Sequence, residues 1–121
     1  MRRILGLRMG DTLRASAETL KATFNSCYNA TLIGHQYDYD QIRATAAAAN
    51  AYAAAAPSDK ETLANMYDKL SGLVAETQQL LETDHKKKKT PDVNLVLAFT
   101  SALSACRAVA HAHDMSLTPR L

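Results

Sequence analysis

The chain has 121 residues, 47% apolar and 21% charged, a balance that suits one folded domain and excludes a disordered chain. Its formal net charge of +2 is too small to mark a nucleic-acid binder by charge alone. Four glycines, three prolines and no tryptophan leave few turn signals, which argues for long helices and against a β-sandwich or barrel.

The expected unit is a single helical domain over residues 1–121, with residues 1–10 and 115–121 as terminal extensions. Arg2, Arg3 and Arg8 precede the first acid, Asp11. This start resembles a mitochondrial presequence in charge only, and its apolar run is too short for a secretory signal. A first helix is predicted over residues 11–29, with Asp11 as N-cap after Gly10. Leu13, Ala17, Leu20, Phe24, Cys27 and Tyr28 recur at spacings of three and four and form its apolar stripe. Arg14, Glu18, Lys21 and Asn25 take the opposite side.

Residues 30–40 read as a loop around Gly34 that gathers His35, Tyr37, Asp38, Tyr39 and Asp40. A second helix follows over residues 41–56, capped by Asp40 and ended by Pro57. Its segment Ala44–Ala56 holds ten alanines in thirteen residues and no charge. Alanine favours helix because it loses no side-chain entropy, but each methyl buries little area. Such a helix is thin, allows close approach from more than one side, and calls for cover. Tyr52 is the only large side chain in its second half.

Ser58 and Glu61 have capping-box spacing and open a third helix over residues 59–84. Leu63, Met66, Tyr67, Leu70, Leu73, Val74, Leu80 and Leu81 make its apolar stripe. His85 and Lys86–Lys89 follow, where cations suit a helix C-terminus before the chain opens into a solvated loop. Thr90, Pro91 and Asp92 then start a fourth helix over residues 91–114, with threonine as N-cap and proline in the first position. Leu95, Val96, Phe99, Leu103, Cys106, Val109 and Ala110 are its expected buried face, and Thr100, Ser101, Ser104, Arg107 and His111 its wet one. Leu97 falls on the wet side without a reason from this chain alone. Residues 115–121 read as an extended tail. The fold class is all-α, an antiparallel four-helix bundle.

Few groups here point to chemistry. The sequence His111-Ala112-His113-Asp114 holds two histidines, but residues two apart point to opposite sides of a helix. A metal site there requires the helix to end first and further ligands to come from elsewhere. Tyrosine and aspartate in the loop 35–40 can do acid–base work, or can equally serve as packed or partner-contacting residues. No glycine-rich phosphate loop and no nucleophile elbow occurs. A histidine phosphotransfer domain is similar in helix count, but it presents a mid-helix histidine followed by lysine and small residues, which neither His111 nor His113 has. Cys27 and Cys106 stand singly on apolar faces, which suits unpaired thiols in a reducing compartment, and a bond between them is not required. The most apolar stretch, residues 93–112, is interrupted by Asn94, Thr100, Ser101, Ser104, Arg107 and His111, so no transmembrane span is expected.

These observations lead to the expectation of a non-enzymatic accessory or structural subunit, or an adaptor, that binds other proteins within a larger assembly. Tyr37, Tyr39, Tyr52 and Leu97 are the candidate partner contacts, and no cofactor or metal is expected. Self-association is an equivalent outcome. An alternative is a phosphate- or nucleic-acid-contacting component of a large particle, through Lys86, Lys87, Lys88 and Lys89. The same run suits an anionic membrane surface. A third alternative is a metal-binding bundle using His111 and His113. The expected location is intracellular, with cytoplasm and mitochondrion undecided.

Overall fold

The computed structural model describes the backbone of residues 9–117 and the side chains of residues 17–114. The arginines at positions 2, 3 and 8, the side chain of Asp11 and the final residues 118–121 of the expected tail lie outside the described residues. The described residues are mostly helical, with four helices that pack against each other in a bundle-like, all-α fold. They are α1 (Met9–Asn29), α2 (Tyr39–Ala55), α3 (Lys60–Lys86) and α4 (Val93–Leu117).

A small antiparallel hairpin, β1 (Leu32–Ile33) and β2 (Gln36–Tyr37), joins α1 to α2. The chain reverses at Gly34, whose φ of 65° is a conformation glycine adopts without a Cβ clash. The expected loop is therefore a paired turn, fastened behind by the Asp38 N–H on the Thr31 carbonyl at 2.7 Å.

The helix ends differ from the expected ones by up to three residues, and in three cases the cap is a different residue. Asp38, not Asp40, caps α2, its carboxylate accepting from the Gln41 N–H at 3.2 Å. Asp59, not Ser58, caps α3 and accepts from the Thr62 N–H at 3.3 Å. Asp92 replaces Thr90 at the start of α4, accepting from the Asn94 N–H at 2.8 Å. At α2 both candidates are aspartates, and Asp38 is the one whose amide closes the hairpin onto Thr31; at α3 and α4 an aspartate won over a serine and a threonine. Its short, charged oxygen reaches the free amides and favours the positive end of the helix dipole. α4 also runs on to Leu117, so residues 115–117 are helical rather than extended.

The neighbours are not in chain order. α2 packs on α1 at one side and on α4 at the other, α4 carries α3, and α2 and α3 barely meet. Tyr39 and Asp40 of α2 share a hollow with Asn94 of α4, and Asn50 to Pro57 share another with Ala108, His111 and Ala112. α2 and α4 therefore run side by side in the same direction. α3 runs against α4, because Ala64, Tyr67 and Asp68 lie beside Ala110, His113 and Asp114. α1 reaches α3 through longer side chains, with the Lys69 ammonium 5.2 Å from the Tyr28 ring.

Alanine makes this order work. Ala46, Ala49 and Ala53 of α2 are buried, as are Ala98, Ala102, Ala105 and Ala112 of α4. Small side chains let two backbones approach closely. Around them sit Phe24, Ile42, Leu63, Met66, Leu70 and Val109, all fully enclosed. The buried face of α4 is correspondingly rotated from the expected one. Leu95, Cys106 and Val109 are inside as expected, but Val96 is exposed, and Phe99, Leu103 and Ala110 are only half-buried. Tyr67, placed in the apolar stripe of α3, is also exposed. Thr45 and Thr77 are buried instead, each returning its hydroxyl to a carbonyl four residues back at 2.7 Å.

Candidate functional site

Two places in the fold concentrate polar chemistry, one at each end. The first is the link between α2 and α3. The Tyr52 hydroxyl donates to the Asp59 carboxylate, which also caps α3. Burial first, then the Asp59 contact, pushes the Tyr52 phenol up to about 12. The Tyr52 hydrogen bond in turn holds the Asp59 carboxyl below its ordinary value. Tyr52 is only 2% exposed, so this expected partner contact belongs instead to the core. The pair clamps the link between α2 and α3.

The second place is the opposite end, where the hairpin meets the last turn of α3 and the first turn of α4. Leu32 pairs across the hairpin with Tyr37, and Ile33 with Gln36. Tyr37, Tyr39, Ile33 and Asn94 line one open hollow. Tyr37 and Tyr39 are half-buried, and burial raises both phenols, with Glu76 adding for Tyr37 and Asp92 and Asp84 for Tyr39. Both hydroxyls are therefore protonated donors at neutral pH. Ile33 is 63% exposed and Val93 66%, an unusual state for β-branched apolar side chains.

Lys86–Lys89 are at this end too, and all four are exposed. Lys87–Lys89 leave the helix into the exposed connector, as expected, but its first turn is hydrogen-bonded. The Lys88 N–H bonds the His85 carbonyl at 3.0 Å and the Lys89 N–H bonds the Asp84 carbonyl at 2.9 Å. This is a Schellman closure, with Lys88 at φ 57° in the position glycine usually takes. Backbone amides that might have cradled an anion are thus occupied by the helix's own carbonyls. Lys89 lies 4.0 Å from Asp84.

From this end an open face runs the length of α4. Val93, Leu97, Thr100, Ser104, Arg107 and His111 recur at helical spacing and are all exposed, with Val96 beside them. The face is about 27 Å long at 1.5 Å per residue. The segment Val93–Asp114 is long and apolar enough, by length and composition, to cross a membrane. A core helix of that composition would be mostly buried, and only 28% of its most apolar window is. Leu97, unexplained by its own chain, is 41% exposed near the start of this uncovered stretch.

The structure brings Tyr37, Tyr39, Leu97 and the four lysines to one end of the molecule and leaves Tyr52 at the other. Leu32, Ile33, Val93 and Val96 complete the exposed apolar set and were not singled out from the sequence. The pair Leu32-Ile33 ahead of Gly34 was a readable hint, because a strand that short can seldom bury both faces. Val93 and Val96 carried no hint, because α4 is apolar around most of its circumference.

His111 and His113 remain on a continuous helix and diverge. His111 lines the groove toward α2, whereas His113 lies against Tyr67 and Asp68 of α3, 3.9 Å from Asp114. Among the described residues no group of three or more histidine, cysteine, aspartate or glutamate side chains is placed to hold a metal ion. Cys27 and Cys106 are both free, and Cys106 meets the Ser71 hydroxyl at 3.5 Å. Comparison of the chain with protein-family models, with curated proteins and with solved structures finds no match.

Proposed function

We propose that the protein is a non-enzymatic adaptor or accessory subunit, an antiparallel four-helix bundle in which successive helices reverse, that binds another protein through the open face of α4 and the adjoining hairpin end. The observation that carries this reading is the uncovered face itself. Val93, Val96 and Leu97 stay exposed on the most apolar helix of the chain, while Ala98, Ala102 and Ala105 fill its inner side. Taking such a side chain from full exposure to full burial is worth roughly 1.5–3 kcal/mol. Val93, 66% exposed, has most of that left to gain against a partner, and Val96 and Leu97, 37% and 41% exposed, less than half. Tyr37 and Tyr39 beside them supply rigid, amphipathic contacts of the kind that anchor interfaces.

The groups with perturbed acidity support a non-catalytic reading. Tyr52 and Asp59 are committed to each other and to the α3 cap, and Tyr37 and Tyr39 are weaker acids than usual.

The test is native purification of the tagged protein beside its Leu97→Asp variant. A defined protein companion retained by the wild type and lost by the variant supports the reading. A second reading, phosphate contact through Lys86–Lys89, rests on the exposure of all four. It is favoured if nucleic acid co-purifies and Lys→Gln replacements release it with a shallower salt dependence. The same companions in both preparations, or a lone monomer in both, reject the adaptor.

A further inference from the structure

α3 turns a second open face outward. Asn65, Asp68, Gly72, Ala75, Gln79 and Glu82 are exposed and recur at alternating spacings of three and four, the spacing of a coiled-coil seam. Glu61 and Lys86 continue the series at its ends and are exposed too. The face is about 38 Å long at 1.5 Å per residue. Near its middle stands Gly72, in the interior of a 27-residue helix, where glycine is the poorest helix former short of proline. Neither packing nor backbone within the chain calls for it. A Cβ at Gly72 meets no atom within 4 Å among the described residues, and its φ is not positive.

Gly72 shares a hollow with Tyr28, Leu32, Tyr37 and Glu76. Leu32 is 49% exposed there, and the Lys69 ammonium stands 5.2 Å from the Tyr28 ring on the same side. The midpoint of α3 therefore combines a missing side chain, an exposed apolar one beside it, a cation one turn before and an acid one turn after.

We infer that the outward face of α3 is the interface for a second copy of this chain, paired antiparallel about a two-fold axis through the midpoint of the helix. Such a contact must be self-complementary, with residue i meeting j and j meeting i. Setting Gly72 of one copy against Ala75 of the other fixes the remaining layers by position alone. Asp68 meets Gln79, Asn65 meets Glu82, and Glu61 meets Lys86. Beside the seam, on the Leu32 side, Lys69 meets Glu76. Each acid of the seam thus faces a cation or an amide donor, and no like charges oppose. A shift of one heptad sets Lys69 against Lys69 in one direction and Glu76 against Glu76 in the other. Parallel pairing stacks Glu61, Asp68, Glu76 and Glu82 on their own copies, so both alternatives are penalised. The missing side chain at Gly72 lets the two backbones approach closely where they cross. Leu32 of each copy lies at the same level and is covered there. The pairing uses no residue of α4 and does not depend on the reading of α4 as a docking face.

The test is sedimentation velocity on the full chain between about 1 μM and 1 mM. The expected result is a reversible dimer with Kd of about 10–100 μM, the strength of a small and largely polar interface. Gly72→Leu is expected to remain monomeric throughout, while its thermal melt is no lower than that of the wild type, because leucine is the better helix former and has open space. Lys69→Glu is expected to weaken the dimer at least about tenfold, and Lys69→Glu combined with Glu76→Lys to restore it to within about threefold, since the pair is reciprocal. Circular dichroism confirms that each variant keeps its helix content. A wild type that stays monomeric at every concentration overturns the inference. So does a dimer that survives Gly72→Leu, a double variant no stronger than the single one, or a dimer dissolved by Leu97→Asp, which places the contact on α4.

Discussion

The two ends of the molecule solve the same problem in opposite ways. Each must turn the chain between helices and satisfy the free amides and carbonyls that helix ends expose. At the α2–α3 link, Asp59 caps α3 and receives the hydroxyl of Tyr52, a ring that is itself part of the core. One carboxylate there serves a helix end, a loop and the interior. At the other end, the hairpin and the Lys86–Lys89 turn satisfy their backbones locally, through Gly34 and the Schellman closure at Lys88. Their side chains are left over, and Leu32, Ile33, Val93 and Leu97 face outward. Where polar groups are satisfied by core residues, the end is closed. At the hairpin end the backbone closures and the local caps Asp38 and Asp92 enlist no core side chain, and the apolar side chains beside them stay exposed.

Substitutions can break or sharpen that contrast. Tyr52→Ala removes both the ring and the bond to Asp59, and is expected to lower unfolding free energy by about 3–5 kcal/mol in a denaturant titration. Ala102→Leu tests the close approach on which the inner face of α4 depends. Overpacking there is expected to cost about 1–3 kcal/mol, visible as a lower denaturation midpoint.

Tyr52→Phe keeps the ring and isolates the hydrogen bond, with an expected loss of about 1–2 kcal/mol at neutral pH. Its pH profile gives a sharper reading. The phenol is weaker in the folded protein, so its contribution is complete below pH 10 and declines as pH rises toward about 12. The phenylalanine variant lacks that decline. Asp59 acts with the opposite sign. The Tyr52 hydrogen bond holds its carboxyl below the ordinary value of 3.8, so its contribution is present above that pH and is lost as pH falls through the lower folded value. Thermal melts between pH 2 and 12 on both chains check the two arms.

The hairpin end responds less. Lys88→Gly relieves a left-handed lysine and is expected to raise stability by about 0.5–1 kcal/mol. Leu97→Asp is expected to change stability by under about 0.5 kcal/mol while removing a partner. A large destabilisation by Leu97→Asp in the isolated chain shows instead that this face is part of the core.

Much of the architecture was readable before the structure. Pro57, the turn around Gly34 and the Thr90-Pro91-Asp92 start each separate helices close to where the chain does. The phase of α1 was also legible, because Leu20, Phe24 and Tyr28 stand against a clearly polar side. Caps were harder. Ser58 and Asp59 are both good caps, and so are Asp38 and Asp40. The choice within each pair depends on what else the carboxylate reaches, which for Asp59 is Tyr52 from the helix before. The site was legible only in pieces. Tyr37, Tyr39 and Leu97 were separated by about sixty positions, and helical pattern alone does not place them at one end.

The sequence by itself determined the four helices of the described residues, roughly where each stops, and that the second is too thin to be held by its own burial. Local forces suffice for that, since propensity, capping and breakers act within a few residues. The tertiary structure decided which way α4 faces, that α2 lies beside α4 rather than α3, and that Tyr52 is enclosed while Leu97 is not. A helix apolar on most sides carries no preferred face of its own. Its alanines turn inward because two other helices must approach it closely, and its larger side chains are then left on the outside.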